Sequence, residues 1–255
     1  MSPLSPVHPP EPARPPFSLL VAWHDIECGA YEADLCLWSE LAGAGGDPVL
    51  EIGAGTGRVA LSLARDGHAV WALDREAELL AALAERARGL DVHTVVGDAQ
   101  GFDLGATRLR TILVPMQTVQ LLAGPRERAG LLASVRRHLE PGGLVALALA
   151  DELEPFHGDF SGLPAPDVGH RAGWRLVSQP VAVQPAGAVT RIERVRELVS
   201  PDDERSFERD VVELARLDAA ALEVEAAAAG LDAAPRREIA ATEEHVASTV
   251  VVLRG

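Results

Sequence analysis

Three glycines and one acidic residue, each two positions from the next, form the part of this 255-residue chain best suited to hold a ligand. They are Glu51, Gly53, Gly55 and Gly57, in the sequence Glu-Ile-Gly-Ala-Gly-Thr-Gly. Glycine tolerates positive φ and lets a ligand approach the backbone closely. A helix that starts at such a turn presents unpaired N–H groups and a positive dipole end, which favour a phosphate or a carboxylate. The stretch therefore predicts a nucleotide-binding turn.

The elements that position this turn must be a buried strand before it and a helix after it. Residues 49–52 are apolar except for Glu51, as in a parallel strand covered on both faces, and the helix is expected to begin near Gly57. A dinucleotide site would need GxGxxG, but Arg58 stands at the third glycine position. It would also place only hydrophobic residues where Glu51 stands. Both departures disfavour a nicotinamide-dependent reductase, which stays open as an alternative.

Three further motifs follow the turn in order. Val70–Asp74 predicts a second buried strand that ends in an acid, where doubly wound folds place a carboxylate that binds ribose hydroxyls. A third strand from Val92 runs into Gly97-Asp-Ala99, and Pro141-Gly-Gly143 precedes a fifth strand. Each motif also has a structural interpretation: Asp74 as a helix cap and the Gly-Asp pair as a turn. The four motifs in one register make coincidence a poor explanation.

Together these motifs resemble those of the class I S-adenosylmethionine-dependent methyltransferases, in the small-molecule branch of that family. The resemblance implies that S-adenosylmethionine is the cofactor. It implies that Asp74 binds the ribose, that Asp98 accepts a hydrogen bond from the adenine amino group, and that Glu51 lies near the amino group of the cofactor. The cofactor carboxylate is then expected at the helix N-terminus after Gly55 to Gly57.

The candidate cofactor-binding residues come from the motifs, the single tyrosine and the loop after the fourth strand: Tyr31, Glu51, Gly53, Ala54, Gly55, Thr56, Gly57, Asp74, Arg75, Gly97, Asp98, Ala99, Met116 and Gln117. Tyr31 resembles a residue that closes over the cofactor in related enzymes. The loop Val114-Pro-Met-Gln-Thr-Val-Gln120 resembles that of small-molecule enzymes and departs from the Asn-Pro-Pro-Tyr of enzymes that methylate adenine or glutamine amides. Gln120 is expected to face the substrate. Core packing is the alternative interpretation for Tyr31 and Met116.

The acceptor side carries less information. In-line methyl transfer depends chiefly on alignment of the two reactants and exclusion of water. A hydroxyl acceptor benefits from a general base, whereas an amine with a free lone pair needs only alignment. His24, His157 and His170 lie in segments expected to rim the pocket, and each is either a base or a structural residue. The sequence assigns no catalytic residue.

Composition limits the classes of partner. The chain has 23 Lys and Arg against 38 Asp and Glu, a net charge of −15, which repels a nucleic acid backbone. No apolar run approaches the roughly 20 residues that span a bilayer, so no membrane association is expected. No secretory signal is visible, which predicts a cytoplasmic protein. Cys28 and Cys36 lack a metal-ligand spacing and are expected to be reduced core thiols, without a disulfide or a metal.

Residues 1–16 are proline-rich and predict a disordered tail, and residues 17–255 predict a single methyltransferase domain. The alternation of strands and helices indicates a parallel α/β sheet. The resemblance implies a Rossmann-like, seven-stranded, mostly parallel sheet with helices on both faces and an antiparallel last strand. A helix is expected over residues 31–41, a left-handed C-cap at Gly142 or Gly143, and a β-rich insertion over about 170–216 before the last helix.

The leading hypothesis is transfer of a methyl group from S-adenosylmethionine to a small-molecule acceptor by in-line displacement. The alternative is a regulatory or non-catalytic protein that binds S-adenosylmethionine on the same fold.

Overall fold

The architecture comes from a computed structural model that describes residues 14–150, 153–157, 163–242 and 245–255. The predicted disordered tail lies almost wholly outside these ranges. The α-helices are α1 (Leu19–Cys28), α2 (Leu35–Gly45), α3 (Arg58–Arg65), α4 (Ala77–Arg86), α5 (Pro125–His138) and α6 (Ala219–Ala228). The strands are β1 (Val49–Ile52), β2 (Val70–Asp74), β3 (Val92–Val96), β4 (Leu109–Val114), β5 (Leu139–Ala150), β6 (Phe156–His157), β7 (Asp167–Arg171), β8 (Trp174–Ala186), β9 (Val189–Val199), β10 (Arg205–Ala215), β11 (Asp232–Ile239) and β12 (Ser248–Arg254).

Seven strands form the main sheet in the order β11-β12-β5-β4-β1-β2-β3. The five strands from β3 to β5 in this order are parallel, whereas β12 pairs antiparallel with β5 and β11 antiparallel with β12. This topology confirms the predicted fold class. Because the first four strands are parallel, the segments that follow them all leave the sheet at one edge.

A second, antiparallel sheet contains β6 to β10 and precedes α6, which confirms the predicted β-rich insertion. Strands β8 and β9 form a hairpin that turns at Gly187 with φ 66°. The strands of this sheet begin at Phe156, earlier than the expected start near residue 170.

The core lies on both faces of the main sheet. Strand β1 is buried along its whole length, as its apolar sequence predicts. One face packs against α2, α3 and α4, and the other against α5 and α6. A third cluster joins α1 to the second sheet through Trp23, Trp174 and Leu176. Helix α1 has no counterpart among the sequence predictions. Through these contacts, α1 connects the main sheet to the insertion.

Two sequence predictions were wrong in detail. The helix expected over residues 31–41 begins at Leu35, because Asp34 turns its carboxylate to Trp38 and Arg58. Helix α5 ends at His138, and its cap residue Leu139 is already extended because β5 begins there, so neither Gly142 nor Gly143 forms the expected C-cap. Gly142 (φ 74°) lies within β5 and bonds the chain terminus through Gly255.

Cys28 is partly buried, whereas Cys36 is exposed, so the prediction of a core thiol was wrong for Cys36. In the part of the chain that the structure describes, every helix is too short or too polar to cross a membrane.

Candidate functional site

The predicted ligand-binding segments converge at the carboxyl edge of the main sheet. The glycine turn follows β1, Asp74 ends β2, Gly97 follows β3, and Met116 lies just after β4. In open α/β sheets ligands bind in the crevice outside these strand ends. The topology thus brings three of the four sequence motifs and the loop after β4 to one place, whereas Pro141-Gly-Gly143 lies at the amino end of β5, at the opposite edge.

The glycine turn is tightly packed by side chains of neighbouring elements. Gly53, Gly55 and Gly57 all have positive φ, as the sequence predicts. A β-carbon added at Gly55 would lie 2.2 Å from Nε2 of His24, so α1 sits directly on the turn. Glycine at position 55 is therefore required both by its backbone conformation and by the approach of α1.

Asp74 connects the glycine turn to the beginning of α4. Its Oδ2 accepts a hydrogen bond from the Gly55 N–H at 2.8 Å, and its Oδ1 accepts one from the Glu76 N–H at 2.9 Å. Each carboxylate oxygen can accept a second hydrogen bond. The residue therefore has a structural role and still has acceptor capacity toward the crevice. Arg75, beside it, extends into solvent and pairs with Glu76 at 3.3 Å.

Glu51 is buried at the end of β1 with one oxygen unpaired. Its side chain is 3% exposed, and Oε2 is one of two buried side-chain polar atoms in the described residues without a hydrogen-bond partner, the other being Trp23 Nε1. Burial raises the pKa of Glu51 to about 8, against the opposing effects of the Arg58 charge and the Ala60 amide. An unpaired buried carboxyl oxygen is costly unless a ligand donates to it. An ammonium group fits that position.

Arg58 occupies the position where a dinucleotide fingerprint has glycine, and it is buried. Its guanidinium forms a two-bond pair with Asp34, whose carboxylate also accepts from Trp38 Nε1 at 2.7 Å. Arg58 also donates to the Tyr31 carbonyl at 2.7 Å and lies 5.2 Å from the centre of the Tyr31 ring. The Tyr31 ring packs against His245 at 4.5 Å, and burial raises the pKa of its hydroxyl. Arg58 thus joins the start of α2 to the turn.

A polar network fixes α1 to the other side of the turn. Thr56 Oγ1 donates to Asp25 at 2.8 Å, and Arg86 donates to Asp25 at 2.8 and 2.6 Å. Burial alone would raise the pKa of Asp25, but the hydrogen bonds from Arg86 and Thr56 outweigh it and lower the pKa. Burial lowers the pKa of His24, whose Nδ1 lies 3.3 Å from the Thr56 hydroxyl. His24 is therefore a packed residue of the turn rather than an open base.

The segment after β3 is more open. Asp98 is exposed, and its Oδ1 accepts from the Gln100 N–H at 2.8 Å, which is the turn that the alternative interpretation describes. Gly97 and Ala99 are partly buried on either side of it. Val96 precedes them and is 61% exposed, so apolar surface lies beside the carboxylate.

The loop after β4 contains a strained residue. Met116 is partly buried and has φ 53°, a left-handed conformation that costs energy in a residue with a β-carbon. Gln117, also partly buried, begins the 3₁₀ helix Thr118–Leu121. Gln120 does not face the crevice: it is 5% exposed, donates to the Ala215 carbonyl and accepts from the Ala150 N–H. The expectation that it faces substrate was wrong, because its amide joins β5 to the end of the insertion.

The sequence reasoning missed several residues of this edge. Asp25, Asp34 and Arg86 hold the helices around the turn, and none of them was predicted. Arg58 entered the sequence predictions only because it stands at the third glycine position of the dinucleotide fingerprint. Ser18, whose side chain accepts from the Val21 N–H, is a helix-start signal that could have revealed α1. The other two candidate bases, His157 and His170, are exposed on β6 and β7 of the insertion.

Comparisons with known proteins agree with this geometry. Residues 49–143 match a family model described as a methyltransferase domain. The cypemycin N-terminal methyltransferase of a Streptomyces species is 32% identical over 109 residues, which cover 43% of this chain and 44% of that protein. Ribosomal RNA small subunit methyltransferase A of Deinococcus radiodurans is 34% identical over 117 residues, 46% of this chain and 37% of that protein. The chain thus spans less than half the length of these curated relatives.

One solved structure that resembles nearly the whole chain is an S-adenosylmethionine-bound amino pentose methyltransferase from Micromonospora echinaspora. It superimposes with a TM-score of 0.68 at 21% identity and covers 95% of this chain and 98% of its own. At this identity the likeness establishes the fold. Residues 49–143 therefore resemble a methyltransferase domain, and nearly the whole chain shares the fold of this solved methyltransferase structure.

Proposed function

We propose that this protein is an enzyme that binds S-adenosylmethionine at the glycine turn and transfers its methyl group to a small-molecule amine. The observation that carries the cofactor assignment is the unpaired Oε2 of buried Glu51 beside the turn. When bound, S-adenosylmethionine supplies a methyl group activated by a positively charged sulfur.

Each residue at the carboxyl edge of the main sheet would bind one part of the cofactor. Glu51 would accept from the amino group, and the positive end of the α3 dipole would favour the carboxylate. Asp74 would accept from the ribose hydroxyls with its remaining lone pairs. Asp98 would accept from the adenine amino group, while the exposed Val96 would lose water as the ring covers it.

The other predicted residues would close the site. Tyr31 would close over the cofactor, Met116 and Gln117 would line it, and Gly97 and Ala99 would lie beside the adenine. Arg58 keeps the turn in place through Asp34. It also stands where a dinucleotide-binding turn has its third glycine, which supports the choice of cofactor.

An amine is the acceptor that we favour. The cypemycin N-terminal methyltransferase and the amino pentose methyltransferase are named for acceptors of that kind. An amine with a free lone pair needs alignment rather than a general base, and His24 is packed against Gly55. The net charge of −15 disfavours RNA, although one relative is a ribosomal RNA methyltransferase.

A transfer assay with S-adenosylmethionine labelled in its methyl group tests this proposal. The acceptors would be a metabolite extract, a set of amino sugars, an N-terminal peptide amine and ribosomal RNA. We expect label in a small amine. Label in RNA alone would overturn the proposed acceptor. Tight cofactor binding without label in any acceptor would instead favour the non-catalytic protein.

A further inference from the structure

The loop between β3 and β4 has little regular structure of its own. Residues 97–108 contain neither helix nor strand, although they begin with the segment proposed to meet the adenine. Phe102 and Leu104 anchor the loop in the core, at 3% and 9% exposure. The position of its first residues must therefore come from contacts with neighbouring elements.

Helix α5 makes the closest of these contacts at Gly130. A β-carbon added there would lie 2.4 Å from the carbonyl oxygen of Gln100, a backbone atom. Gln100 also donates its N–H to Asp98 Oδ1 at 2.8 Å. Gln100 thus rests on α5 with its carbonyl and orients the Asp98 carboxylate with its amide. Any outward movement of Gln100 moves that hydrogen bond.

His138 fixes the far end of the same loop, eight residues along α5. It is fully buried, and its Nε2 accepts from the Leu104 N–H at 3.3 Å while its Nδ1 lies 3.2 Å from the Thr107 carbonyl. A carbonyl only accepts, so Nδ1 donates to Thr107. The ring also stacks on Phe102 at 5.5 Å between centroids. One face of α5 therefore holds both ends of the loop.

We propose that Gly130 and His138 are positioning residues for the adenosyl half of the cofactor. They hold the loop so that Asp98 meets the adenine, and neither residue touches the cofactor. The inference rests on the proposed function, because it needs the adenine to lie against Gly97, Asp98 and Ala99.

The first test compares Gly130→Ala with Gly43→Ala, a helix glycine whose added β-carbon would meet no atom within 4 Å. Binding of three ligands is measured by calorimetry: S-adenosylmethionine, S-adenosylhomocysteine and 5′-methylthioadenosine. All share the adenosyl group, and the last lacks the amino acid portion. The 2.4 Å contact must open by roughly 1 Å, enough to break a hydrogen bond to adenine, so affinity should fall about tenfold for all three ligands. Gly43→Ala should bind like the wild type.

Two further variants separate positioning from general stability. His138→Asn keeps a donor for the Thr107 carbonyl, and His138→Gln keeps an acceptor for the Leu104 N–H. Each should bind all three ligands less tightly than the wild type, with turnover unchanged at saturating cofactor. By contrast, Glu51→Gln should weaken binding of the two ligands that have an amino acid portion and leave binding of 5′-methylthioadenosine unchanged.

The results distinguish the two levels of the account. Folded Gly130→Ala or His138 variants that bind all three ligands like the wild type would overturn the inference. A loss confined to the two amino acid-containing ligands would also overturn it, because the effect would then lie at the other end of the cofactor. A wild-type protein that binds none of the three would overturn the proposed function itself.

Discussion

Binding of S-adenosylmethionine should release a proton from Glu51, and the substitution Glu51→Gln should abolish this release. Burial raises the pKa of Glu51 to about 8, so the carboxyl is only about 3% ionised at pH 6.5 in the free protein. A bound ammonium beside Oε2 stabilises the ionised form. Binding should therefore release close to one proton for each cofactor at this pH, and none in Glu51→Gln.

The affinity for S-adenosylmethionine should follow the ionisation of Glu51. The ionised fraction of Glu51 grows from about 3% at pH 6.5 to about 24% at pH 7.5, so wild-type affinity should rise about eightfold over this range. The charges that act on Glu51 belong to Arg58, Asp34 and Asp74. Burial also lowers the pKa of His24 from its ordinary value of 6.5. The affinity of Glu51→Gln should be nearly independent of pH there.

The stability of the ligand-free protein should fall as the pH rises, whereas its affinity for the cofactor should increase. The folded pKa of Glu51 lies above the unfolded value of 4.5, so its contribution is full below pH 4.5 and declines as pH rises to about 8. Each pKa unit corresponds to about 1.4 kcal/mol, which sets an upper bound of about 5 kcal/mol. Ligand-free Glu51→Gln should therefore be more stable than the wild type at pH 8.

Calorimetry in phosphate and in Tris, whose ionisation enthalpies differ, counts the released protons, and thermal unfolding across the same pH range measures stability. Tight binding of S-adenosylmethionine by the wild type without proton release at pH 6.5 would refute the role of Glu51. So would equal proton release by Glu51→Gln.

Other substitutions test the remaining contacts. Asp74→Asn leaves one backbone N–H facing an amide NH₂ and should weaken cofactor binding by about 1 to 3 kcal/mol in calorimetry; unchanged affinity would reduce Asp74 to a structural cap. Arg58→Met leaves buried Asp34 without its partner and should lower the free energy of unfolding by about 3 to 5 kcal/mol in urea, whereas a loss below about 1 kcal/mol would contradict the pairing. Gln120→Ala leaves the Ala150 N–H and the Ala215 carbonyl unpaired and should cost about 1 to 3 kcal/mol of stability without changing cofactor affinity; reduced affinity would return Gln120 to the site.

The sequence predicts the main sheet well because its strands are bounded by distinct residues. Val70–Asp74 is a short apolar run that ends in an acid, and the structure has those same bounds. The glycine turn is similarly legible, since its positive φ values require glycine. Local sequence chemistry is sufficient in both cases.

Features that depend on tertiary contacts were not predictable in the same way. Helix α1 has no acidic residue in its first turn, and it is held by packing of Trp23 on a sheet far along the chain. Gln120 looks like a substrate-facing residue from its loop, but its partners lie 30 and 95 residues away. The contact of Gly130 with the Gln100 carbonyl likewise has no sequence pattern.

The central claim is that the glycine turn holds S-adenosylmethionine, and the most direct measurement is calorimetric titration of the wild-type protein with S-adenosylmethionine and with nicotinamide dinucleotides. The structure around Glu51 and Arg58 leads us to expect one S-adenosylmethionine bound per chain and no binding of the dinucleotides. Binding of a nicotinamide dinucleotide without binding of S-adenosylmethionine would contradict the account.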